Sequence, residues 1–238
     1  MTQELTHHPS GSLALATALA ASAGFVDAHV YLNVTPVFVA NMSGNLIRLG
    51  ISAGVGRGGD SLRSLLALAA FFAGVVVATG HHGRAMRRWG ALRPGTLLAG
   101  EAVMVLSLPL VIVALGLDVD RHPRPAEFLV IGIAAFAMGM QTAALRRVGA
   151  VAVATTYGTG AIVRIGEKVG LALGGTDRST TVRRRITIVV LTAVLVSYVV
   201  GAVAAARLGS SPWQLVIPGA VLVVAAIAIG RGDESPAE

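Results

Sequence analysis

Apolar stretches of about 20 residues, separated by short polar connections, run through almost the whole chain. A helix needs about 20 apolar residues to cross the hydrocarbon core of a bilayer. The chain also carries 13% charged residues, where a soluble domain has about a quarter. The stretches cover 12–33, 35–55, 62–82, 95–117, 126–146, 150–173, 186–206 and 212–230. They predict an all-α, polytopic transmembrane helical bundle in contact with the lipid bilayer.

The net charge of +7 reflects basic loops between these stretches. Such loops orient a membrane protein and face anionic headgroups. The chain shows no nucleic-acid-binding signature, so we expect no nucleic-acid partner. The chain has no cysteine and no HExxH-like spacing of metal ligands, so we expect no metal site and no cofactor. No nucleophile–base arrangement is apparent, and we do not expect an enzyme.

Two polar motifs interrupt the apolar pattern in the same way. "VANMSGNLIRLG" (39–50) and "ATTYGTGAIVRIG" (154–166) both place a small residue and glycine before an apolar-apolar-Arg sequence, which pairs Arg48 with Arg164. Upstream, "GFVDAHVYL" (24–32) aligns with "GMQTAALRR" (139–147). The alignment predicts an internal repeat, a common plan of secondary transporters. The predicted parts are a polar N-terminal tail (1–11), a first membrane repeat (12–117), a connecting loop (118–125), a second membrane repeat (126–230) and a polar C-terminal tail (231–238).

The distribution of arginine indicates that the two repeats have opposite orientations. In the first half the basic loop follows the third apolar stretch, whereas in the second half it precedes the equivalent stretch. Because basic loops stay in the cytoplasm, each repeat then needs an odd number of crossings. We expect three spans per repeat (3+3), with 35–55 and 150–173 as broken or re-entrant segments, and eight crossings as the alternative. The arginines are Arg84, Arg87, Arg88 and Arg93, then Arg178, Arg183, Arg184 and Arg185.

Asp27 is a carboxylate inside the first span. A charge at the bilayer centre costs about 2.5–3.5 kcal/mol on insertion scales, so a partner must compensate for it. Asp27 could be a structural partner of Arg48 or of backbone N–H groups at a helix break. It could equally bind a coupling ion or a proton.

Arg48 and Arg164 each follow the start of a predicted half-helix, whose N–H groups and partial positive charge suit an anion. If inverted repeats bring both starts together, the arginines form a site for an anionic solute. Alternatively, each arginine reaches the headgroups or pairs with Asp27 or Glu167. The candidate substrate-binding residues are Asp27, Asn41, Ser43, Asn45, Arg48, Gln141, Thr155, Thr156, Thr159 and Arg164.

Two further polar residues lie within apolar stretches. We expect Gln141 to join helices through hydrogen bonds rather than to contact a ligand. Glu101, near the start of the fourth stretch, is expected to pair with the basic cluster Arg84–Arg93, with a proton relay as the alternative. The sequence also places Asp60 as the N-cap of the third helix.

At "GFVDAHVYL…FVANMSGN" and "GMQTAALRR…VATTYGTG…VRIGE" the chain resembles the YoaK family of bacterial integral membrane proteins, over about residues 12–230. Thr142 departs from the family pattern, which often has Asn there. The resemblance implies a multi-pass protein of a bacterial cell membrane and brings no established substrate. We expect a secondary transporter or permease for a small, anionic solute or ion. The alternatives are a passive channel or lipid-handling protein and, less favoured, a membrane enzyme. The positions that match the family are Asp27, Ser43-Gly44-Asn45, Gln141, Thr155-Thr156 and Thr159-Gly160.

Overall fold

The computed structural model describes residues 9–89, 94–117, 125–144, 147–148, 151–152, 158–174 and 181–233. The helices in these ranges are α1 (Pro9–Asn33), α2 (Met42–Gly54), α3 (Gly58–Trp89), α4 (Pro94–Leu115), α5 (Glu127–Ala144), α6 (Gly158–Leu173), α7 (Thr181–Leu208) and α8 (Val216–Asp233). Two short antiparallel strands, β1 (Arg147–Val148) and β2 (Val151–Ala152), lie between α5 and α6. A 3₁₀ turn, Pro212–Leu215, precedes α8. The predicted polytopic helical bundle is confirmed.

Six helices of the described chain are long and apolar enough to cross a membrane: α1, α3, α4, α5, α7 and α8. The other two, α2 and α6, have 13 and 16 residues. At 1.5 Å per residue they are about 20–24 Å long, shorter than the roughly 30 Å hydrocarbon core. These two short helices fall within the stretches predicted to be broken.

The surface of the bundle is apolar and part of its interior is polar. Phe72 and Val103 are both 69% exposed, while Asp27, Glu101 and Gln141 are buried. A water-soluble protein has the opposite distribution. The exposed apolar side chains therefore form the surface in contact with the lipid bilayer.

Two helix pairs have close backbone contacts at glycines. α1 packs along α7, and α3 packs along α5. Gly24 on α1 faces the backbone of Tyr198, and Gly201 on α7 faces the backbone of Ala21. In the other pair, Gly139 on α5 and Gly74 on α3 face the backbones of Phe71 and Phe136, respectively. Small residues allow membrane helices to approach closely, and these contacts leave no room for a Cβ.

Each of the remaining helices also packs against particular neighbours. α2 lies on α3, and α6 lies on α7. α4 packs on α8 and α5, and α8 also contacts α1. The helices α1, α4, α5 and α8 therefore form a connected set, and each short helix lies against one neighbouring long helix.

Several boundaries differ from the sequence predictions. α1 begins at Pro9, inside the predicted tail, because proline is well accommodated in the first turn of a helix. α3 begins at Gly58, so Asp60 lies in its first turn rather than at the N-cap. There its carboxylate pairs with Arg63, at 2.7 Å. α6 begins only at Gly158, after the two strands that occupy part of the predicted stretch 150–173.

Candidate functional site

A break between α1 and α2 is the polar centre of the first half. α1 ends at Asn33, and residues 34–41 run without helical structure to the start of α2. Pro36 favours this break, because proline lacks an N–H and disfavours a helical conformation in the residue before it. In a membrane-embedded bundle the backbone polar groups of the break need protein partners, since lipid offers none. Side chains from α1 and α2 supply them.

Asp27 accepts hydrogen bonds from the backbone of this break. Its Oδ1 accepts from the N–H groups of Val39, at 2.5 Å, and Ala40, at 2.8 Å. Its Oδ2 accepts from the hydroxyl of Tyr198 on α7. Hydrogen bonds to an ionised acceptor are about twice as strong as neutral ones. Asp27 thus has the contacts predicted for a structural partner of a helix break, and it also links α1 to α7.

Asn45 and Asn41 complete the hydrogen bonding of the break. The Asn45 amide accepts from the N–H of Phe38, at 3.1 Å, and donates to the carbonyl of the same residue, at 2.5 Å. Asn41 is the N-cap of α2: its Oδ1 accepts from the Gly44 N–H and from the Ser43 hydroxyl. Asn45 is fully buried and Ser43 is exposed. These side chains supply the hydrogen bonds expected for an unwound backbone.

Gly44 is required where the break meets α2. A Cβ at this position would lie 2.8 Å from the ring of Phe38. The absence of a side chain therefore lets the Phe38 ring pack against the first turn of α2. This packing explains why a glycine follows Ser43 in the first motif.

Arg48 lies on α2 above two stacked aromatic rings. Its Cζ is 5.8 Å from the centre of the Tyr31 ring, within the range of a cation–π contact. Tyr31 in turn stacks on Phe38, with ring centres 4.6 Å apart. Of the two structural partners considered for Asp27, the structure shows the backbone N–H groups of the break and not Arg48. The Nε of Arg48 is buried without a hydrogen-bond partner among the described residues.

The second motif forms the start of α6 in the same register. Thr159 and Arg164 occupy the second and seventh positions of α6, as Ser43 and Arg48 do in α2. Thr159 is exposed and Arg164 is half-buried. Thr155 and Thr156 lie outside the described residues. Because α6 packs on α7 while α2 packs on α3, the two motifs lie on different helix pairs.

Gln141 lies apart from both motifs and joins two spans. Its Nε2 donates to the carbonyl of Leu19 on α1, at 2.7 Å, and the residue is fully buried. This is the interhelical hydrogen bond that was expected for it. The neighbouring Thr142, which aligns with Asp27, donates to the Met138 carbonyl of its own helix.

The structure therefore brings part of the predicted set together around one break. That part is Asp27, Asn41, Ser43, Asn45 and Arg48. Sequence reasoning missed three aromatic partners of this cluster, Tyr31, Phe38 and Tyr198. One signal was available for Tyr198: a phenol inside an apolar span needs a partner for its hydroxyl.

Glu101 forms no ion pair with the described residues of the basic cluster, and Arg93 of that cluster lies outside the described residues. Both carboxyl oxygens are buried without a hydrogen-bond partner among the described residues, and the residue is 0% exposed. Glu101 is enclosed in the packed interior of the bundle on α4. Within the described chain, no three His, Asp or Glu side chains are arranged to hold a metal ion.

Comparison with known proteins matches residues 15–229 to a family described as "Protein of unknown function (DUF1275)". The chain is 31% identical to the UPF0700 transmembrane protein YoaK of Bacillus subtilis (strain 168) over 189 residues, which is 79% of this chain and 80% of that protein. No solved structure matches. The resemblance seen in the paired motifs is thus confirmed, and the chain belongs to the DUF1275 family of membrane proteins that includes YoaK.

Proposed function

We propose that this protein is a secondary transporter, or permease, for a small anionic solute in the plasma membrane of a bacterium. It consists of two inverted repeats of three spans, and its binding site lies where the repeats meet. The contact that carries the proposal is the hydrogen bond from Tyr198, in the second repeat, to Asp27, in the first. The proposal is of a transporter and not of an enzyme.

The helix packing supports the repeat. Exchanging α1–α4 for α5–α8 turns the pair α1–α7 into α5–α3, and the pair α2–α3 into α6–α7, both of which are packed pairs. The same exchange turns the contact of α1 with α8 into that of α5 with α4. Packing that survives such an exchange is expected of two copies related by a pseudo-two-fold axis.

The close glycine contacts support the repeat residue by residue. The alignment of 24–32 with 139–147 pairs Gly24 with Gly139. Gly24 faces the backbone of Tyr198, and Gly139 faces the backbone of Phe71. The complementary contacts follow the same exchange: Gly201 faces Ala21, and Gly74 faces Phe136. Tyr198 and Phe71 are thus equivalent positions, as are Gly201 and Gly74.

The fourth helices obey the same relation. Gly95 on α4 lies against Ala226 and Gly230 of α8, while Gly219 on α8 lies against Leu106 of α4. Both glycines follow a proline, in Pro94-Gly95 and Pro218-Gly219. Three spans in each half give the two copies opposite orientations, in agreement with the exchange of basic loops between the halves.

The site of the proposal is the break at residues 34–41 together with Arg48. The half-buried guanidinium has an Nε without a hydrogen-bond partner among the described residues, next to an ordered aromatic surface. Such a cation attracts an anion and can donate to it in a bidentate manner. Because Asp27 ties the break to α7 of the other repeat, relative movement of the repeats changes access to this site. Such movement around a fixed site is the basis of alternating access.

Electrophysiology on a solid-supported membrane tests this proposal without a labelled substrate. Liposomes that contain the full chain are washed with phosphate, sulfate, acetate, lactate or succinate. At least one anion should give a transient current, and Arg48→Gln should reduce that current at least about tenfold. Arg57→Gln is the matched control, because Arg57 lies at an exposed helix start with a side chain 67% accessible. Full current in Arg48→Gln, or no current above that of empty liposomes for any anion, would contradict the proposal.

A further inference from the structure

Glu101 is a buried carboxyl for which the described chain provides no compensating group. It lies on α4, about 10 Å along the helix from Pro94. The residue is 0% exposed, and neither carboxyl oxygen has a hydrogen-bond partner in the part of the chain that the structure describes. Buried polar groups are nearly always hydrogen-bonded. Ionisable residues inside membrane spans are energetically costly, and they mark functional sites. Asp27, by contrast, has three donors.

Among the described residues, no ionisable group on a neighbouring helix hydrogen-bonds to Glu101. α3 contacts the first turn of α4 through His81, whose Nε2 lies 3.0 Å from the hydroxyl of Thr96, five residues before Glu101. On α5 the only ionisable residue is Glu127, in the first turn, where Arg63 binds it at 3.0 Å. On α8 the ionisable residues are Arg231 and Asp233, in the last turn, and the 3₁₀ turn at 212–215 has none. α4 itself carries no other ionisable residue.

Glu101 lies on α4, the helix of the first repeat that packs on α8 of the second. Along α4 it lies midway between Gly95 and Leu106, the two residues that contact α8 at its opposite ends. Measured along the helix, it therefore lies near the middle of the contact between α4 and α8, at the height where the proposed repeat places its pseudo-two-fold axis. Pairing Gly95 with Gly219 makes Ala225 the equivalent of Glu101, so only one repeat supplies a carboxyl there.

We infer that Glu101 is the proton-binding site of a proton-coupled transport cycle, an inference that rests on the proposed transport function. A carboxylate oxygen of Glu101 takes up a proton from water on one side of the membrane, forming an O–H bond. After the repeats move, the same bond breaks and the proton passes to water on the other side. A central position between repeats is where transporters bind coupling ions.

The chemistry of the site favours a proton over a metal cation. A hard cation in a protein needs several oxygen ligands. No three acidic or histidine side chains meet in the described chain, and no hydroxyl or amide contacts the Glu101 oxygens. A single carboxylate oxygen suffices for a proton, and the protonated form is neutral and compatible with an apolar interior.

Infrared spectroscopy of the full chain in lipid tests this inference directly, without any substrate. Wild type should show the carbonyl stretch of a protonated carboxylic acid, which shifts on transfer to D₂O and disappears reversibly as the pH is raised. Glu101→Gln should lack this band, and Asp27→Asn, the matched control, should retain it. A band that survives in Glu101→Gln, or one that never responds to D₂O or pH, would overturn the inference.

A relocation experiment guards against misfolding and tests the axis. Glu101→Ala combined with Ala225→Glu moves the carboxyl to the equivalent position of the other repeat, and the exchangeable band should return. If the band is absent from a double variant that elutes as a single species, the position of Glu101 at the axis between the repeats is overturned. Because the spectra require no transport, they remain informative if every anion fails in the current measurement. Conversely, if wild type carries an anion current but shows no exchangeable carbonyl band, the proton site alone is overturned and the transport function stands.

Discussion

Tyr198 on α7 donates a hydrogen bond to the carboxylate of Asp27 on α1, next to the point where the two backbones touch at Gly24. In the proposed repeat, the equivalent pair is Phe71 and Thr142, which have no phenol and no carboxylate. Under this proposal the two halves have similar helix packing but differ in chemistry at this position. The broken segment of the first half is linked to α7 by one carboxyl group, that of Asp27.

Removing the Tyr198 hydroxyl should weaken the link between the halves. Tyr198→Phe keeps the ring but leaves Asp27 with its two backbone donors. We expect the free energy of unfolding to fall by about 1–2 kcal/mol, between the values for membrane and for charged hydrogen bonds. Thermal unfolding in detergent measures the change. Tyr31→Phe is the control, because it keeps the ring that stacks on Phe38; equal losses in the two variants would contradict the assignment.

The side chain of Asn45 should hold the backbone of the break in one conformation. Asn45→Ala removes both hydrogen bonds to the Phe38 main chain and leaves its polar groups without these partners, at a cost of about 1–3 kcal/mol. Hydrogen–deuterium exchange followed by mass spectrometry should show faster exchange over residues 37–41. Ser43→Ala, at an exposed position, should leave exchange there almost unchanged. Similar protection in Asn45→Ala and wild type would show that the amide does not hold the break.

The glycine contacts should be sensitive to a single methyl group in both halves. Gly24→Ala and Gly139→Ala each place a Cβ against the backbone of a facing helix, and overpacking of this kind costs about 1–3 kcal/mol. Unfolding in detergent should show similar losses for the two variants, because the proposed repeat makes the two contacts equivalent. Gly132→Ala, with no atom within 4 Å of an added Cβ, should be neutral or stabilise by up to about 1 kcal/mol. Loss in only one of the first two variants would contradict the equivalence.

The ion pair between Arg63 and Glu127 should hold the starts of α3 and α5 together. Both residues are almost fully buried, and removing one member of such a pair leaves an uncompensated charge. Because Arg63 also binds Asp60, we expect Glu127→Gln to cost about 1–3 kcal/mol, below the full range for an isolated pair. Asp60→Asn, at the more exposed partner, should cost less. A double-mutant cycle with Arg63→Gln measures the coupling, and a coupling near zero would contradict the role of the pair.

Much of the fold could be predicted because membranes restrict the choice of structure. The length and apolar character of each stretch indicated the spans. Polar residues next to glycine indicated where the stretches 35–55 and 150–173 are interrupted. The helix partners could not be predicted, since α1 packs on α7 rather than on its neighbours in sequence. Nothing in the local pattern around Gly24 identifies Tyr198 as the residue it faces.

The candidate site was predictable in its residue types more than in its contacts. Asp27 was recognised as a residue that needs a partner, yet backbone N–H groups can serve as well as Arg48, and sequence does not rank them. Glu101 was assigned to a basic cluster that is near in sequence. Its actual surroundings depend on how α4 is rotated against α5 and α8, which only tertiary packing determines.

The most direct test of the central claim, two inverted three-span repeats, is cysteine accessibility in intact cells. The chain contains no cysteine, so single cysteines can be introduced at positions 57, 90, 122, 178 and 210 and labelled with a membrane-impermeant maleimide. Inversion with both ends in the cytoplasm predicts labelling at 57, 122 and 210 and protection at 90 and 178 until the cells are opened. Labelling at 90 or 178 in intact cells, or protection at 57, would mean that α2 and α6 cross the membrane, and the inverted repeat would be wrong.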